Sequence, residues 1–350
     1  MKTISRLSNL LAAAVVGAMV TCGIAAAQNA ANQGGAQNAA TPQVADLPIL
    51  GVAGVTIKTS DMAKARAYYN GVLGFDEAFD LKDASGQVTS AFFKVNDDQY
   101  IEIVPGLKPE DLVRQARIVI QSSDLQKLHA AYVERGVNPG PISNGPDGNP
   151  VFRVTAPNGG VADFIQYVAT SKQGQLRGKN MPATRLSTHI WHVGTMAKDQ
   201  EAAGFFRDKL GFGRLLPGTR GDYVETPSSD SNLETRDPPL DPKNPATEAK
   251  YTREVYGAVY HVALEVTDMR YVRDTAQKRG NLSDVQVRVA MGRGQRRWLM
   301  HLYDQDGTRT EFLETQSREL PPNTVMAPGA PADPIMPTAS GSFGWPVPKQ

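Results

Sequence analysis

Cysteine is almost absent from this sequence of 350 residues, whose one thiol is that of Cys22. Residues 1–27 begin with Lys2 and Arg6, continue with small and apolar residues and end in three alanines, which is typical of a secretory signal peptide. If cleavage follows Ala27, the mature chain has no cysteine, which excludes disulfides, thiolate metal sites and cysteine nucleophiles. We therefore expect an exported protein, either periplasmic or secreted.

An excess of charge of either sign is also missing. The chain has a formal net charge of +1, and the loss of Lys2 and Arg6 with a leader that contains no acidic residue changes it to −1. Nucleic-acid binding needs a basic excess, so nucleic acid is not an expected partner. A retained membrane anchor is the alternative to cleavage, but the leader is short and rich in glycine and alanine, and no stable membrane insertion is expected.

Two further segments lack the apolar side chains that a folded core needs. Residues 28–46 are mostly Asn, Ala, Gln and Gly, and they are predicted to form a disordered linker because they bury too little apolar surface to offset the entropy of ordering. Residues 321–350 form a tail rich in Pro, Ala and Ser, and the same interpretation applies to it. The chain between them is long enough for two ordinary domains, and its oligomeric state stays open.

Four stretches of this central part share one pattern. Each begins with a strand, continues with a helix that a glycine follows, and ends in extended segments. The pattern predicts strand, helix and three strands in every unit. Two units would form one domain with a cupped sheet, so that the domains cover residues 50–170 and 187–316, with a polar linker between them.

Three motifs within these units are similar to those of the vicinal-oxygen-chelate superfamily, which includes glyoxalase I, extradiol dioxygenases and bleomycin-resistance proteins. The motifs are Tyr68-Tyr69 and Phe205-Phe206 ahead of Leu-Gly-Phe, strands that open with His-Val, and the closing Asp304-Gln305-Asp306-Gly307 with Glu311 four residues on. The resemblance covers roughly residues 50 to 316. It implies an α+β fold of four βαβββ units, paired into two domains with cupped, mixed and mostly antiparallel sheets.

The resemblance also implies a metal site in the second domain, because members of this superfamily take ligands from the first and last strands of their units. His261 stands seven positions before Asp268, and Glu311 stands four positions after Gly307, as the pattern requires. Strand alternation places His261 on the face opposite the apolar one. These two residues are therefore expected to point into the cup.

The third unit supplies the remaining ligands by the same resemblance. His192 is the expected ligand, and His189, three residues upstream, is the alternative. Glu225 matches the position of a fourth ligand or of a catalytic base, and a long insertion from Pro227 to Thr252 is expected after it. The implied metal site consists of four residues: His192, His261, Glu311 and Glu225.

The first domain carries different residues at the corresponding positions, which are Gly54, Glu102, Arg117 and Asp163. A glycine and an arginine replace the two histidines, and the arginine adds a fixed positive charge. We predict that this domain is free of metal and that Arg117 and Asp163 form an ion pair.

Two imidazoles with one or two carboxylates suit a divalent ion such as Fe(II), Mn(II), Zn(II) or Ni(II), and they leave positions open for a substrate with two adjacent oxygens. We therefore predict an exported, metal-dependent lyase or dioxygenase that acts on a small oxygen-rich molecule. The alternative is a non-catalytic small-molecule binding protein that resembles bleomycin-resistance proteins. A purely structural exported protein is a third hypothesis, but it leaves the coincidence of His192, His261 and Glu311 unexplained.

Overall fold

The computed structural model describes residues 47–314 except residues 158, 197–203, 219–220, 227–230, 237–239, 242–243, 249–255, 258, 281–289 and 292–297. The described residues all belong to one compact unit. Within this part of the chain, no helix is both long enough and apolar enough to cross a membrane. The predicted signal peptide (1–27), linker (28–46) and tail (321–350) lie outside the described residues.

Each half of the described chain contains one large sheet. The elements of the first half are β1 (Ile49–Thr59), α1 (Met62–Arg66) with a π-helical turn (Ala67–Val72), β2 (Glu77–Lys82), β3 (Val88–Lys94), β4 (Tyr100–Pro105), β5 (Gln115–Ser122), α2 (Leu125–Glu134), β6 (Ser143–Asn144), β7 (Pro150–Thr155), β8 (Val161–Ile165) and α3 (Lys172–Gln175). Those of the second half are β9 (His189–Met196), a π-helical turn (Phe205–Lys209), β10 (Gly213–Gly218), β11 (Gly221–Glu225), β12 (Asn232–Arg236), β13 (Leu240–Asp241), β14 (Asn244–Glu248), β15 (His261–Val266), α4 (Met269–Lys278), β16 (Ala290–Met291), β17 (Trp298–Tyr303) and β18 (Arg309–Glu314).

Aspartate marks the start of three of these helices. Asp61, Asp124 and Asp268 each have an extended backbone and a side chain that accepts hydrogen bonds from the backbone N–H groups of the first helical turn. Such caps satisfy donors that the helix itself leaves free. The predicted order of strand, helix and three strands is found in all four units, with a π-helical turn in the helix position of the third.

The two sheets have the same strand order, β2-β3-β4-β1-β5-β8-β7-β6 in the first and β10-β11-β12-β9-β15-β18-β17-β16 in the second. Two central strands pair antiparallel in each sheet, β1 with β5 and β9 with β15. Each central strand also pairs in parallel with the last strand of its own unit, while the outer pairings are antiparallel. The predicted α+β fold with mixed, mostly antiparallel sheets is therefore confirmed.

Alternation along the strands gives each sheet two chemically different faces. Apolar residues of one face pack with the helices into a continuous core, as Ile101, Ile118 and Phe164 do in the first sheet and Val193, Val262 and Phe312 do in the second. The other face, which we call the cup face, carries the polar residues Glu102, Arg117 and Asp163 in the first sheet and His192, His261 and Glu311 in the second. The helix core thus decides which residues are left to face the cup.

Polar contacts join the two halves. Asp306, in the turn between β17 and β18, accepts hydrogen bonds from Thr59 Oγ1 at 2.7 Å and from Ser60 N at 3.1 Å. Gln99, in the turn before β4, donates to the carbonyl of Ile190 at 3.0 Å and accepts from its N–H at 2.7 Å. Each sheet therefore forms hydrogen bonds to one end of a central strand in the other sheet.

The segment predicted as a linker is partly packed. Helix α3 lies within it, and Gln173 is only 2% exposed. The Gln173 amide donates to Asp147 and accepts from Asn149, both at 2.8 Å. This part of the segment is therefore anchored on the loop between β6 and β7.

Asp304 is a buried carboxyl at the contact between the halves. It accepts hydrogen bonds from Tyr69 Oη at 3.3 Å and from the backbone N–H groups of Asp306 and Thr308 at 2.9 and 2.8 Å. Burial raises the pKa of Asp304 from 3.8 to about 6. The folded state therefore holds this proton over a range in which the unfolded chain releases it.

We predict that the free energy of unfolding of the wild type falls as the pH rises from 4 to 6, and that Asp304→Asn removes this fall. In that range the unfolded carboxyl ionises while the folded one stays protonated, so the stability contributed by the proton is present below pH 4 and lost as the pH rises through 6. A shift of about two pKa units corresponds to about 3 kcal/mol. Urea denaturation from pH 4 to pH 7 gives the free energy of unfolding of both proteins. The variant's value should rise relative to that of the wild type by up to this amount. A difference that does not change with pH would contradict the assignment.

Candidate metal centre

Strand register brings the two predicted imidazoles together. In the antiparallel pair of β9 and β15, His261 lies opposite Gly194 and His192 lies opposite Ala263. Both histidines are at most 1% exposed, and their Nε2 atoms are 2.9 Å apart. A Cβ atom at Gly194 would lie 2.1 Å from His261 Nδ1, so the glycine provides the space that the imidazole occupies.

His261 Nδ1 is 2.8 Å from the carbonyl of Val259. In the tautomer with its hydrogen on Nδ1, the ring donates to this carbonyl and keeps the lone pair of Nε2 toward His192. Burial, reinforced by the positive charge of Arg309, lowers the pKa of His261 to about 4. The imidazole is therefore neutral near pH 7, which is the form that binds metal ions.

Glu311 supplies the first carboxylate. Its Oε1 is 3.7 Å from His192 Nε2 and its Oε2 is 4.0 Å from His261 Nε2, and ligand atoms of the three residues all lie within 4.8 Å of one another. Burial opposes its ionisation, but the charge of Arg309 and the hydrogen bond with His301 outweigh burial and hold the pKa of Glu311 well below its ordinary value. This side chain is therefore a carboxylate at neutral pH.

Glu234 supplies a second carboxylate that the sequence analysis did not single out. It lies on β12 opposite Gly194, with Oε2 3.2 Å from His261 Nε2 and 3.6 Å from His192 Nε2. Burial again opposes ionisation, but hydrogen bonds with both histidines lower the pKa of Glu234 well below its usual range. The carboxylate of the third unit that faces both imidazoles is thus Glu234.

Glu225, the predicted fourth ligand or base, lies elsewhere in the sheet. It is on β11, the strand before the last strand of its unit, where it is opposite Gly213 and Asn232. The supposed insertion of residues 227–252 contains β12, which pairs in parallel with β9. The structure therefore brings His192, His261 and Glu311 together as predicted but does not bring Glu225 to them.

The sequence contains two glutamates that fit this position. Glu102 follows Ile101 in the first unit, and in the third unit both Glu225 and Glu234 follow an apolar residue in the same way. Because β12, and not β11, pairs with β9, the strand order places Glu234 beside the imidazoles.

The other two histidines of this sheet each contact a glutamate. His189, the alternative ligand, places Nδ1 2.9 Å from Glu265 Oε2 and is not part of the cluster. His301 lies opposite Glu311 in the β17–β18 pair, and its Nε2 is 3.0 Å from Glu311 Oε2. His301 therefore faces the cup.

Arg309 is a further charged residue of the cluster that the sequence analysis did not identify. It is 6% exposed, and its Nη2 is 3.4 Å from Glu311 Oε2 and 2.9 and 3.1 Å from the two ring nitrogens of His261. By register, Val161 stands at the same place in the first sheet. The fold therefore tolerates an apolar residue at this position. We infer that Arg309 is present for its positive charge, which lies beside Glu311 and His261.

The donor set and its spacing fit a divalent metal ion. Two ligand atoms about 2.1 Å from a metal and at right angles to each other lie about 3 Å apart. The imidazole–imidazole and imidazole–carboxylate distances of this cluster run from 2.9 to 4.0 Å. Imidazoles and ionised carboxylates suit Mn(II), Fe(II), Zn(II) or Ni(II), so His192, His261 and Glu311 could hold such an ion. Glu234 lies close enough to both imidazoles to join them.

The same positions of the first sheet form an ion-pair network. Arg117 lies 3.2 Å from Asp163 and 2.5 Å from Glu102, so the expected Arg117–Asp163 pair is present. A Cβ atom at Gly54, the position of His192, would lie 2.0 Å from the carbonyl oxygen of Tyr100. No side chain fits there, and a guanidinium occupies the place of the second imidazole.

Solved structures with the same architecture include two kinds of protein. The Mn(II)-bound glyoxalase from Novosphingobium aromaticivorans matches with a TM-score of 0.56 and 17% identity, over 77% of this chain and 84% of that one. An extradiol ring-cleaving dioxygenase from B. fuscum matches with a TM-score of 0.56 and 17% identity, over 79% of this chain and 74% of that one. A single-residue mutant of homoprotocatechuate 2,3-dioxygenase from Brevibacterium fuscum has a TM-score of 0.57 and 17% identity, with the same coverage of both chains.

The chain has the vicinal-oxygen-chelate fold. No protein-family model and no curated protein matches the sequence. The likeness to the vicinal-oxygen-chelate structures at 17% identity therefore concerns the architecture, and the case for a metal rests on the residues themselves.

We predict that Glu234→Ala weakens divalent metal binding about 100-fold or more, beyond the roughly 10- to 100-fold typical of a partner outside the ligand set. Glu225→Ala should change the affinity by about twofold or less, because Glu225 lies two strands from His192. Elemental analysis and competition with a chelator, on protein without an affinity tag, give both values. Equal losses in the two variants would show that Glu234 is not a ligand.

We also predict that Gly194→Ala weakens metal binding by about 10- to 100-fold, as loss of an outer-shell partner does, although it removes no ligand atom. The added methyl group would collide with the His261 ring and with the carbonyl of Val259 at 2.6 Å. Gly71→Ala is the matched control, because nothing lies within 4 Å of a Cβ atom there. Circular dichroism should show both variants folded, and unchanged metal affinity in Gly194→Ala would rule out the steric argument.

Proposed function

We propose that this chain is an exported, metal-dependent enzyme that acts on a small molecule with two adjacent oxygen atoms. One observation carries the proposal: two buried imidazoles and two buried carboxylates converge on the cup face of the second sheet. The proposed ligands are His192, His261, Glu234 and Glu311. Export rests on the composition of residues 1–27.

The structural relatives support a reaction at this place. One is described as a Mn(II)-bound glyoxalase and another as an extradiol ring-cleaving dioxygenase. We also propose that residues 50–170 and 187–316 are tandem domains, which the identical strand order of the two sheets supports. The first domain would then be a degenerate copy that does not carry the metal.

A bound divalent ion would act as a Lewis acid toward the two substrate oxygens. Among the chain's own groups, His301 is suited to move a proton, because its Nε2 is 3.0 Å from Glu311 Oε2 and its side chain is 26% exposed against 8% for Glu311. It therefore lies nearer to solvent than the ligands do. We assign it the proton transfer that the sequence analysis gave to Glu225.

Arg309 favours an anionic substrate in this scheme. Imidazoles that bind a metal are neutral and carboxylates that bind it are ionised, so a divalent ion would bring the cluster to zero charge without the arginine and to +1 with it. A substrate that binds as a monoanion then neutralises the buried site, which is favourable at low effective dielectric constant.

The test uses protein reconstituted separately with Mn(II), Fe(II), Zn(II) and Ni(II). Proton NMR in D₂O would follow exchange of the α-proton of α-hydroxy ketones, and an oxygen electrode would follow O₂ uptake with catechols. We expect one of these activities, its loss in His261→Ala, and a fall in turnover number of about 100-fold, with KM nearly unchanged, in His301→Gln.

The alternative is a binding protein without chemistry. It predicts saturable binding of the same compounds with neither proton exchange nor O₂ uptake under any of the four metals. Absence of metal binding in the reconstituted wild type would overturn the proposed enzyme directly.

A further inference from the structure

The cup face of the first sheet lines a cavity that the metal cluster does not use. Its volume is about 90 Å³, and it is open to solvent. Glu102, Arg117 and Asp163 belong to its lining. Because the imidazoles lie on the second sheet, the cavity and the metal cluster are separate sites.

Four charged groups at the cavity neutralise one another. Both oxygens of Glu102 accept hydrogen bonds, from two hydroxyl groups and from Arg117. Both oxygens of Asp163 face guanidinium groups, those of Arg153 and Arg117. Asp147 also lines the cavity, and its oxygens accept hydrogen bonds from Asn149 and Gln173. An anionic ligand therefore finds no unpaired cation among these groups.

Most of the cavity wall is apolar. Its apolar side chains include Leu81, Phe92, Val119, Val151 and Ile165. A dry apolar cavity of about 150 Å³ takes up benzene. The cavity here is smaller and is open to solvent, so we expect it to take one end of a molecule, such as one edge of an aromatic ring, with the rest of the guest at its mouth.

One polar group of the wall is unsatisfied. Tyr100 lines the cavity and is 4% exposed, and its hydroxyl has no hydrogen-bond partner among the residues that the structure describes. Tyr100 stands two residues before Glu102 on β4 and therefore projects from the same face, opposite Gly54, which has no side chain. Burial raises the pKa of this hydroxyl, so it retains its proton. A guest with an oxygen atom would relieve an unfavourable buried donor.

We propose that the cup of the first sheet is a second ligand site, which takes a small uncharged organic molecule with an apolar body and one hydrogen-bonding oxygen. The apolar wall holds the body and Tyr100 bonds the oxygen. Tyr167 packs edge-on against Tyr100, with ring centroids 6.3 Å apart, and belongs to the same lining. This site needs no metal and works whether or not the second sheet is catalytic.

Fluorine NMR on the full chain tests the proposal with 4-fluorophenol as the probe. We expect saturable binding in the millimolar range or tighter, weaker binding of fluorobenzene, which lacks the oxygen, and no binding of anionic 4-fluorobenzoate. His261→Ala should leave the binding of 4-fluorophenol unchanged, because the metal cluster lies in the other sheet.

Two variants locate the probe. Val119→Phe should abolish binding by filling the cavity, whereas Val133→Phe, at a position on α2 that is 55% exposed, makes the same exchange away from the cavity and should leave binding intact. Tyr100→Phe should lower the affinity for 4-fluorophenol about fivefold, to that of fluorobenzene. Val151→Phe replaces Val119→Phe if thermal unfolding shows that the latter does not fold.

Three results would overturn the proposal. They are no binding of 4-fluorophenol to the wild type, equal binding in the folded cavity-filling variant, and loss of binding in His261→Ala. The last would place the probe in the second sheet and would leave the proposed enzyme untouched.

Discussion

The register of the four strands β12, β9, β15 and β18 is the constraint on which the candidate centre depends. Across neighbouring strands, Gly194 pairs with Glu234 on one side and with His261 on the other. In the next row, Ala263 pairs with His192 on one side and with Glu311 on the other. A shift of one residue in any of these pairings would turn a ligand to the apolar face. The helix core on that face resists such a shift, so packing on one side of the sheet determines the chemistry on the other.

The two sheets have the same topology but carry different arrangements of charged residues. In the first sheet, Arg117 and Asp163 form a network whose charges cancel without any ligand. In the second, neutral His261 stands where the arginine would be, and the carboxylates are left with Arg309 as their only fixed cation among the described residues. The first arrangement is balanced in charge without a ligand, whereas the second could hold a divalent cation.

Much of the fold could be predicted because local signals and global pattern agree. The aspartates that begin α1, α2 and α4 are capping residues, and alternation along β15 placed His261 on the polar face. The structure does not bring Glu225 to His192, because β12 lies between β11 and β9, and spacing along the chain cannot show which strands become neighbours.

The sequence by itself determined the order of elements, the pairing of like units and the three ligand-type residues His192, His261 and Glu311, because strand alternation and helix caps are local properties of the chain. Only the tertiary structure decided that Glu234 lies beside both imidazoles and that Arg309 lies against His261. Both depend on which strands become neighbours, and that is decided by the burial of the whole apolar face rather than by any single segment.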